Sequence, residues 1–150
     1  MKGFSLIEII FSVAIIGILS AIAVNSFHTA QIRKEQQGIV QGIVADLEKQ
    51  KTDTQTGKAG SQYGVKFNPS NYVLFTGTSY ATTSASNRTV DIDSQFQIDE
   101  TIINAQNSIY FSKINGNANE NATITVSHIS NRVDPLLLTI QTSGAISVIE

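Results

Sequence analysis

The rhythm of apolar and polar residues changes twice along this chain. From Phe4 to Val24 the run FSLIEIIFSVAIIGILSAIAV is apolar on every side, interrupted only by Ser5, Glu8, Ser12 and Ser20. From Asn25 to about Gln50 the apolar residues retreat to one stripe, with Ile32, Ile39, Val40, Ile43, Val44 and Leu47 recurring at the helical period. No proline interrupts Phe4 to Lys51, so the pattern predicts one continuous helix, about 70 Å long at 1.5 Å per residue. Its first half is apolar all round and its second half packs under a sheet. Gly38 and Gly42 are weak points in it, each costing up to about 1 kcal/mol relative to alanine. They point to close sheet approach, a local bend or plain tolerance of glycine.

After the polar breaker Thr52-Asp53-Thr54-Gln55-Thr56-Gly57 the period switches to two. Tyr63 to Phe67 and Tyr72 to Thr76 flank Asn68-Pro69-Ser70-Asn71, which reads as a β-hairpin with a four-residue turn. Thr89 to Ile92, Ser108 to Lys113, Ala122 to Ile129 and Leu136 to Gln141 are further strands, and Ala145 to Ile149 closes a hairpin across Thr142-Ser143-Gly144. Asn104 to Asn107 and Asn115 to Asn121 read as loops. The expectation is an α+β fold, an antiparallel sheet over about residues 62–150 packed on the C-terminal half of one long N-terminal helix.

Glu8 is the one charge in the apolar run. Placing a carboxylate within a membrane helix costs about 2.5–3.5 kcal/mol on insertion scales, so such a residue implies a function and a partner. The run is long enough to span one bilayer core of roughly 30 Å. Lys2 ahead of it orients that end toward the cytoplasm, leaving everything after Val24 outside. A secretory signal peptide is the alternative, because Ala21-Ile22-Ala23 resembles its small-residue cleavage site. Against it stand Glu8 inside the apolar core and a helical pattern that continues past Val24.

Gly3-Phe4-Ser5-Leu6-Ile7-Glu8 followed by an apolar helix resembles the class III signal of type IV pilin-like proteins. The resemblance implies a leader over residues 1–3, cleavage by a prepilin peptidase between Gly3 and Phe4, and N-methylation of the new terminus at Phe4. It implies a transmembrane and assembly segment over 4–24 and an extracytoplasmic domain over 25–150, with an amphipathic half-helix over about 25–52. In that setting the Phe4 amine of one subunit meets Glu8 of its neighbour, which turns two unfavourable intramembrane charges into a pair and sets axial register. Ala14, Gly17 and Ala21 put small residues on one side, where helices can approach closely. The implied partners are other pilin subunits, the peptidase, an inner-membrane assembly platform and membrane lipid, with the mature chain in a periplasmic or extracellular filament.

A second resemblance covers nearly all of the outer domain. Tyr63-Gly64-Val65-Lys66-Phe67, Tyr72-Val73-Leu74-Phe75, Ile109-Tyr110-Phe111 ahead of Gly116, Leu138-Thr139-Ile140 and Gly144-Ala145-Ile146 look like the domain of general secretion pathway protein H-like minor pseudopilins. That implies a subunit of a type II secretion pseudopilus, acting by assembly. A minor pilin of a type IV pilus or DNA-uptake system shares every membrane feature, and the N-terminal motif does not separate them.

Composition narrows the chemistry. The 150 residues, 41% hydrophobic, allow one domain beyond the apolar segment, and with no cysteine neither a disulfide nor a catalytic or metal-binding thiolate can form. His28 and His128 are far apart and neither has a Glu at metal-ligand spacing, so no catalytic or metal site is expected at either. Asp91, Asp93, Asp99 and Glu100 could contribute oxygen ligands to calcium, but they lack the spacing of an EF-hand loop and read as a solvated edge. Asn87-Arg88-Thr89 and Asn121-Ala122-Thr123 match the glycosylation tripeptide and are assigned no function. Net charge is −2, and beyond Thr52 the basic Lys58, Lys66, Arg88, Lys113 and Arg132 are scattered and outnumbered by acids, which does not favour nucleic acid. No cofactor is expected.

The leader reading has a direct test. The mature chain should begin at N-methylated Phe4, and Gly3→Val should leave the precursor uncut in the membrane. Intact-mass and N-terminal peptide analysis checks both, and a mature terminus at Val24 or Asn25 would overturn the pilin-like reading.

Overall fold

A computed structural model describes residues 5–102 and 107–149, with backbone only for 21–25 and 100–102. The expected leader, Gly3 and Phe4 lie outside the described residues, as does most of the expected loop at Asn104 to Asn107.

Helix α1, Leu6–Gln55, runs for 50 residues without a break. It begins after Ser5, whose backbone is extended and whose side chain makes no capping hydrogen bond. Its packed stripe is Ile32, Gln36, Val40, Ile43, Leu47, Gln50 and Thr54, all buried and recurring every three or four residues. The end lies beyond the expected stop at Thr52. The Thr54 hydroxyl donates to Gln50 O at 2.8 Å and the Thr56 hydroxyl to Thr52 O at 2.9 Å, so both threonines bond back onto the last turns. Gly57, in the left-handed region at φ 66°, ends it. Gly38 and Gly42 face outward, and a Cβ at either would meet nothing within 4 Å, so neither marks close sheet approach.

The sheet expected as one layer is divided in two. Strands β1 (Tyr63–Asn68), β2 (Asn71–Thr76), β3 (Arg88–Asp91) and β5 (Ser108–Tyr110) form a four-stranded antiparallel sheet in the order β3-β2-β1-β5. Strands β4 (Phe96–Ile102), β6 (Ala122–His128), β7 (Leu136–Ile140) and β8 (Ile146–Ile149) form a second in the order β4-β6-β7-β8, also antiparallel. Strand β4 was not expected. Its polar content hides the alternation, yet Phe96 and Ile98 turn inward and are buried. The β1–β2 hairpin is tighter than the expected four-residue turn: Asn68 pairs with Asn71, so Pro69 and Ser70 alone form the loop, and proline there forfeits no ladder hydrogen bond. The strand expected to reach Lys113 stops at Tyr110, beyond which Phe111 makes only an isolated bridge to Ala118.

Both sheets feed one core against α1. Val40, Ile43 and Leu47 meet Val65, Phe67, Tyr72 and Leu74 from the first sheet, and Ile98, Ile124, Val126, Leu138 and Ile140 from the second. Each such side chain contributes about 1.5–3 kcal/mol by leaving water. A smaller cluster of Ile32, Phe96 and Val133 closes the end nearest the apolar run. On the far face of the first sheet the close approach falls at Gly64, where a Cβ would lie 2.5 Å from both Ile109 O and the Phe75 ring. Phe75 is buried there outside the main core, with the Tyr80 ring edge-on at 5.9 Å.

Polar contacts rivet helix to sheet. Gln36, fully buried, donates from Nε2 to Val126 O at 2.8 Å and Asp134 O at 3.1 Å. Lys51 Nζ donates to Gly144 O at 2.8 Å, and the Tyr63 N–H donates to the Thr54 hydroxyl at 3.0 Å. The Tyr72 hydroxyl donates to Asp46 Oδ2 at 2.8 Å from a ring only 4% exposed.

Burial, and after it the bond to Asp46, raises the Tyr72 hydroxyl above the ordinary tyrosine range. The folded state then holds this proton more tightly than the unfolded chain does, so the stability it confers is intact below about pH 10 and is lost as pH rises beyond. Tyr72→Phe should lower stability at neutral pH by about 1.5–3 kcal/mol, as expected for a hydrogen bond to a charged group. It should also flatten the decline of the urea midpoint above about pH 10, and an unchanged alkaline decline in the variant would show that another group carries it.

Candidate assembly surface

The first turns of α1 are uncovered by any other described residue. From Leu6, 76% exposed, through Phe11 at 65% to Leu19 at 60%, every large apolar side chain stands uncovered, on all sides of the helix. Phe27 and His28 are exposed too. Water does not tolerate a helix that is apolar all round, and such a segment belongs in lipid or among other helices. Among the described residues no helix is long and apolar enough to cross a membrane. The described side chains of this run stop at Ser20.

The polar members of the run are largely satisfied within it. The Ser12 hydroxyl donates to Glu8 O at 2.8 Å and the Ser20 hydroxyl to Ile16 O at 2.7 Å, which consumes both protons in the helix itself. Glu8 differs. It lies exposed in the first turn, where the helix dipole favours a negative charge by about 0.3–1 kcal/mol, and its carboxylate has no partner among the described residues. A Cβ added to Gly17 would meet nothing within 4 Å, so the side bearing Ala14 and Gly17 is open to a neighbouring helix. The side chain of Ala21 is not described.

The other sequence candidates stand apart from this surface. His128 is buried, accepting from the Ser130 N–H at Nδ1 at 3.0 Å and meeting the Phe96 ring edge-on at 5.3 Å, a packing role far along the chain from exposed His28. Asp99 accepts from the Ser127 hydroxyl at 2.8 Å and from Gln97 at 3.2 Å, and Asp93 accepts from the Gln95 N–H at 2.8 Å. Asp91 ends β3, exposed, and the side chain of Glu100 is not described. Among the described residues no group of three His, Asp or Glu side chains is placed to hold a metal ion. Of the basic residues, Lys58 pairs with Asp53 at 3.0 Å, which holds its ammonium above the ordinary lysine range, and Lys113 donates to Gly60 O.

Three residues that the apolar pattern passes over carry the seam: Gln36, Gln50 and Thr54. Their positions continue the three-and-four spacing of the stripe, which was the available signal. Their polarity masked it.

Residues 1–24 match the prokaryotic N-terminal methylation motif. No curated protein matches the chain at the sequence level. In fold it is similar to the minor pseudopilin EpsH from the type 2 secretion system of Vibrio cholerae, at a TM-score of 0.60 and 12% identity, covering 77% of this chain and 96% of that one. It is similar also to the type IV minor pilin FimU of Pseudomonas aeruginosa. One crystal form of FimU gives a TM-score of 0.59 at 14% identity over 76% of this chain and 92% of that one, and a second gives 0.60 at 14% over 79% and 90%. Residues 1–24 thus carry a methylation motif, and the fold is similar to that of a minor pseudopilin and of a type IV minor pilin.

Proposed function

We propose that this chain is a membrane-anchored filament subunit that acts by helix–helix assembly and performs no catalysis. A prepilin peptidase removes residues 1–3, the chain spans the inner membrane once with its N-terminus cytoplasmic, and the domain from residue 25 onward stands outside. The observation that carries the reading is the continuity of α1: one unbroken helix joins a packed domain to an apolar segment that no other described residue covers. Glu8, the unpartnered charge of that segment, receives the Phe4 amine of the next subunit. An assembly platform in the inner membrane moves the subunit from lipid into the filament.

Among pilin-like systems we favour a minor pseudopilin of a type II secretion machine. The net charge of −2 and the absence of a basic track weigh against a polyanionic partner. The alternative is a minor pilin of a type IV pilus or DNA-uptake system, and the FimU likeness keeps it open. The purified chain should bind duplex DNA no better than a non-specific acidic control at physiological salt. Sub-micromolar binding that weakens steeply with added salt would reverse the ranking.

The central test is Glu8→Val. Removing the charge should leave insertion and cleavage after Gly3 intact while stranding the neighbour's amine, at a cost of roughly 3–5 kcal/mol for one member of a buried pair left alone. The expected outcome is a processed membrane protein of normal abundance whose crosslinks to other pilin subunits are lost. Assembly equal to wild type would overturn the charge-pair mechanism.

A further inference from the structure

A cleft of about 170 Å³ lies between the last turns of α1 and the edge formed by β2 and β3. Lys49, Lys58 and Arg88 line it, with Asp53 as its one carboxylate. The acids of the same turns are already engaged. Asp46 accepts from the Tyr72 hydroxyl at 2.8 Å, Glu48 lies 3.6 Å from Lys51, and Asp53 accepts from Lys58 through Oδ2 at 3.0 Å. Lys49 and Arg88 are exposed and have no ion pair among the described residues. The cleft therefore holds a surplus of positive charge, and a concave wall focuses it.

Gln50 makes a second demand. It lines the same cleft, is only 5% exposed, and its Oε1 has no hydrogen-bond partner. A buried acceptor left in this state is costly, and a ligand that brings a proton relieves it. Asp53 Oδ1 is a further acceptor without a donor among the described residues. The group that answers both demands carries negative oxygens together with an O–H of its own. A phosphate that keeps one proton does so: its bare oxygens accept from Lys49, Lys58 and the planar Arg88 fork, while its P–OH donates to Gln50 Oε1. Sulfate carries no proton near neutral pH, nor does a simple carboxylate or the phosphodiester of nucleic acid. Each would leave Gln50 Oε1 facing another acceptor. Lipid headgroups are out of reach, since Lys49 lies about 37 Å along α1 from Val24 at 1.5 Å per residue.

We propose that the cleft lined by Lys49, Lys58, Arg88 and Gln50 binds a protonated phosphate group from solution, either inorganic phosphate or a phosphate monoester. The cations supply the attraction, and Gln50 selects for the proton. The site stands apart from the apolar run and does not depend on the filament reading.

The full-length chain in detergent micelles, in a buffer free of phosphate and sulfate at pH 7, is titrated calorimetrically with inorganic phosphate. Saturable binding with a Kd of about 1 mM or tighter is expected. Sulfate at equal ionic strength should bind at least about tenfold more weakly, because a site built around a ligand O–H rejects the analogue that lacks it. Lys49→Gln with Arg88→Gln should weaken phosphate at least about tenfold and leave the thermal midpoint without phosphate unchanged, since both side chains are exposed. Gln50→Leu should keep binding but narrow the preference for phosphate over sulfate, a change of ratio that misfolding does not imitate. Glycerol phosphate identifies the source: binding as strong as that of phosphate assigns a monoester, and binding of inorganic phosphate alone assigns the free ion. The proposal is overturned by no saturable phosphate binding, by sulfate bound as tightly as phosphate, or by an unchanged ratio in Gln50→Leu. Displacement of bound phosphate by a duplex oligonucleotide overturns it in favour of a nucleic-acid contact. Failure here leaves the filament reading intact, because that reading is tested at Glu8.

Discussion

The seam along α1 from Ile32 to Thr54 is the constraint on which the rest of the structure depends. Neither four-stranded sheet is stable as an isolated layer, because its apolar face needs a cover. The helix supplies that cover to both at once, with Val40, Ile43 and Leu47 reaching strands of each sheet in one cluster. A seam of apolar groups alone could slide. Gln36, Lys51, Thr54 and the Asp46–Tyr72 bond fix the sheets along the helix, because each satisfies a polar group at one position only.

The same helix lives in two environments. Beyond Ile32 one face is covered and the rest is polar; before Ser20 every face is apolar and bare. No break in the hydrogen-bond ladder separates the regimes, so whatever holds the apolar half also orients the domain. Ser12 and Ser20 spend their protons on the helix backbone, which leaves Glu8 as the one charge of the bare half without a partner among the described residues. A group of that kind is costly in an apolar medium without a partner, and this cost is the ground for the proposed assembly contact.

Charge on the packed domain is gathered by the fold. Lys49, Lys58 and Arg88 line one cleft beside the last turns of α1, and Asp91 lies three residues beyond Arg88 on the same strand. A chain with net charge −2 can therefore offer a cationic cleft without any basic run in its sequence.

By itself the sequence determined the periodic elements: the long helix, the N-terminal motif with Glu8 in its apolar run, and every strand but β4. Local geometry suffices for these, since spacing of 3.6 or 2 residues is written directly in the order of side chains. Tertiary structure alone decided the rest. Strand β4 is polar except where Phe96 and Ile98 turn inward, and only its pairing with β6 makes that alternation meaningful. Gln36 and Gln50 belong to the seam because partners or a cleft await them far along the chain, and the helix outruns Thr52 with Thr54 buried and accepting from the Tyr63 N–H. The division into two sheets and the convergence of Lys49 with Arg88 depend on contacts between residues distant in sequence, and no local pattern encodes such contacts.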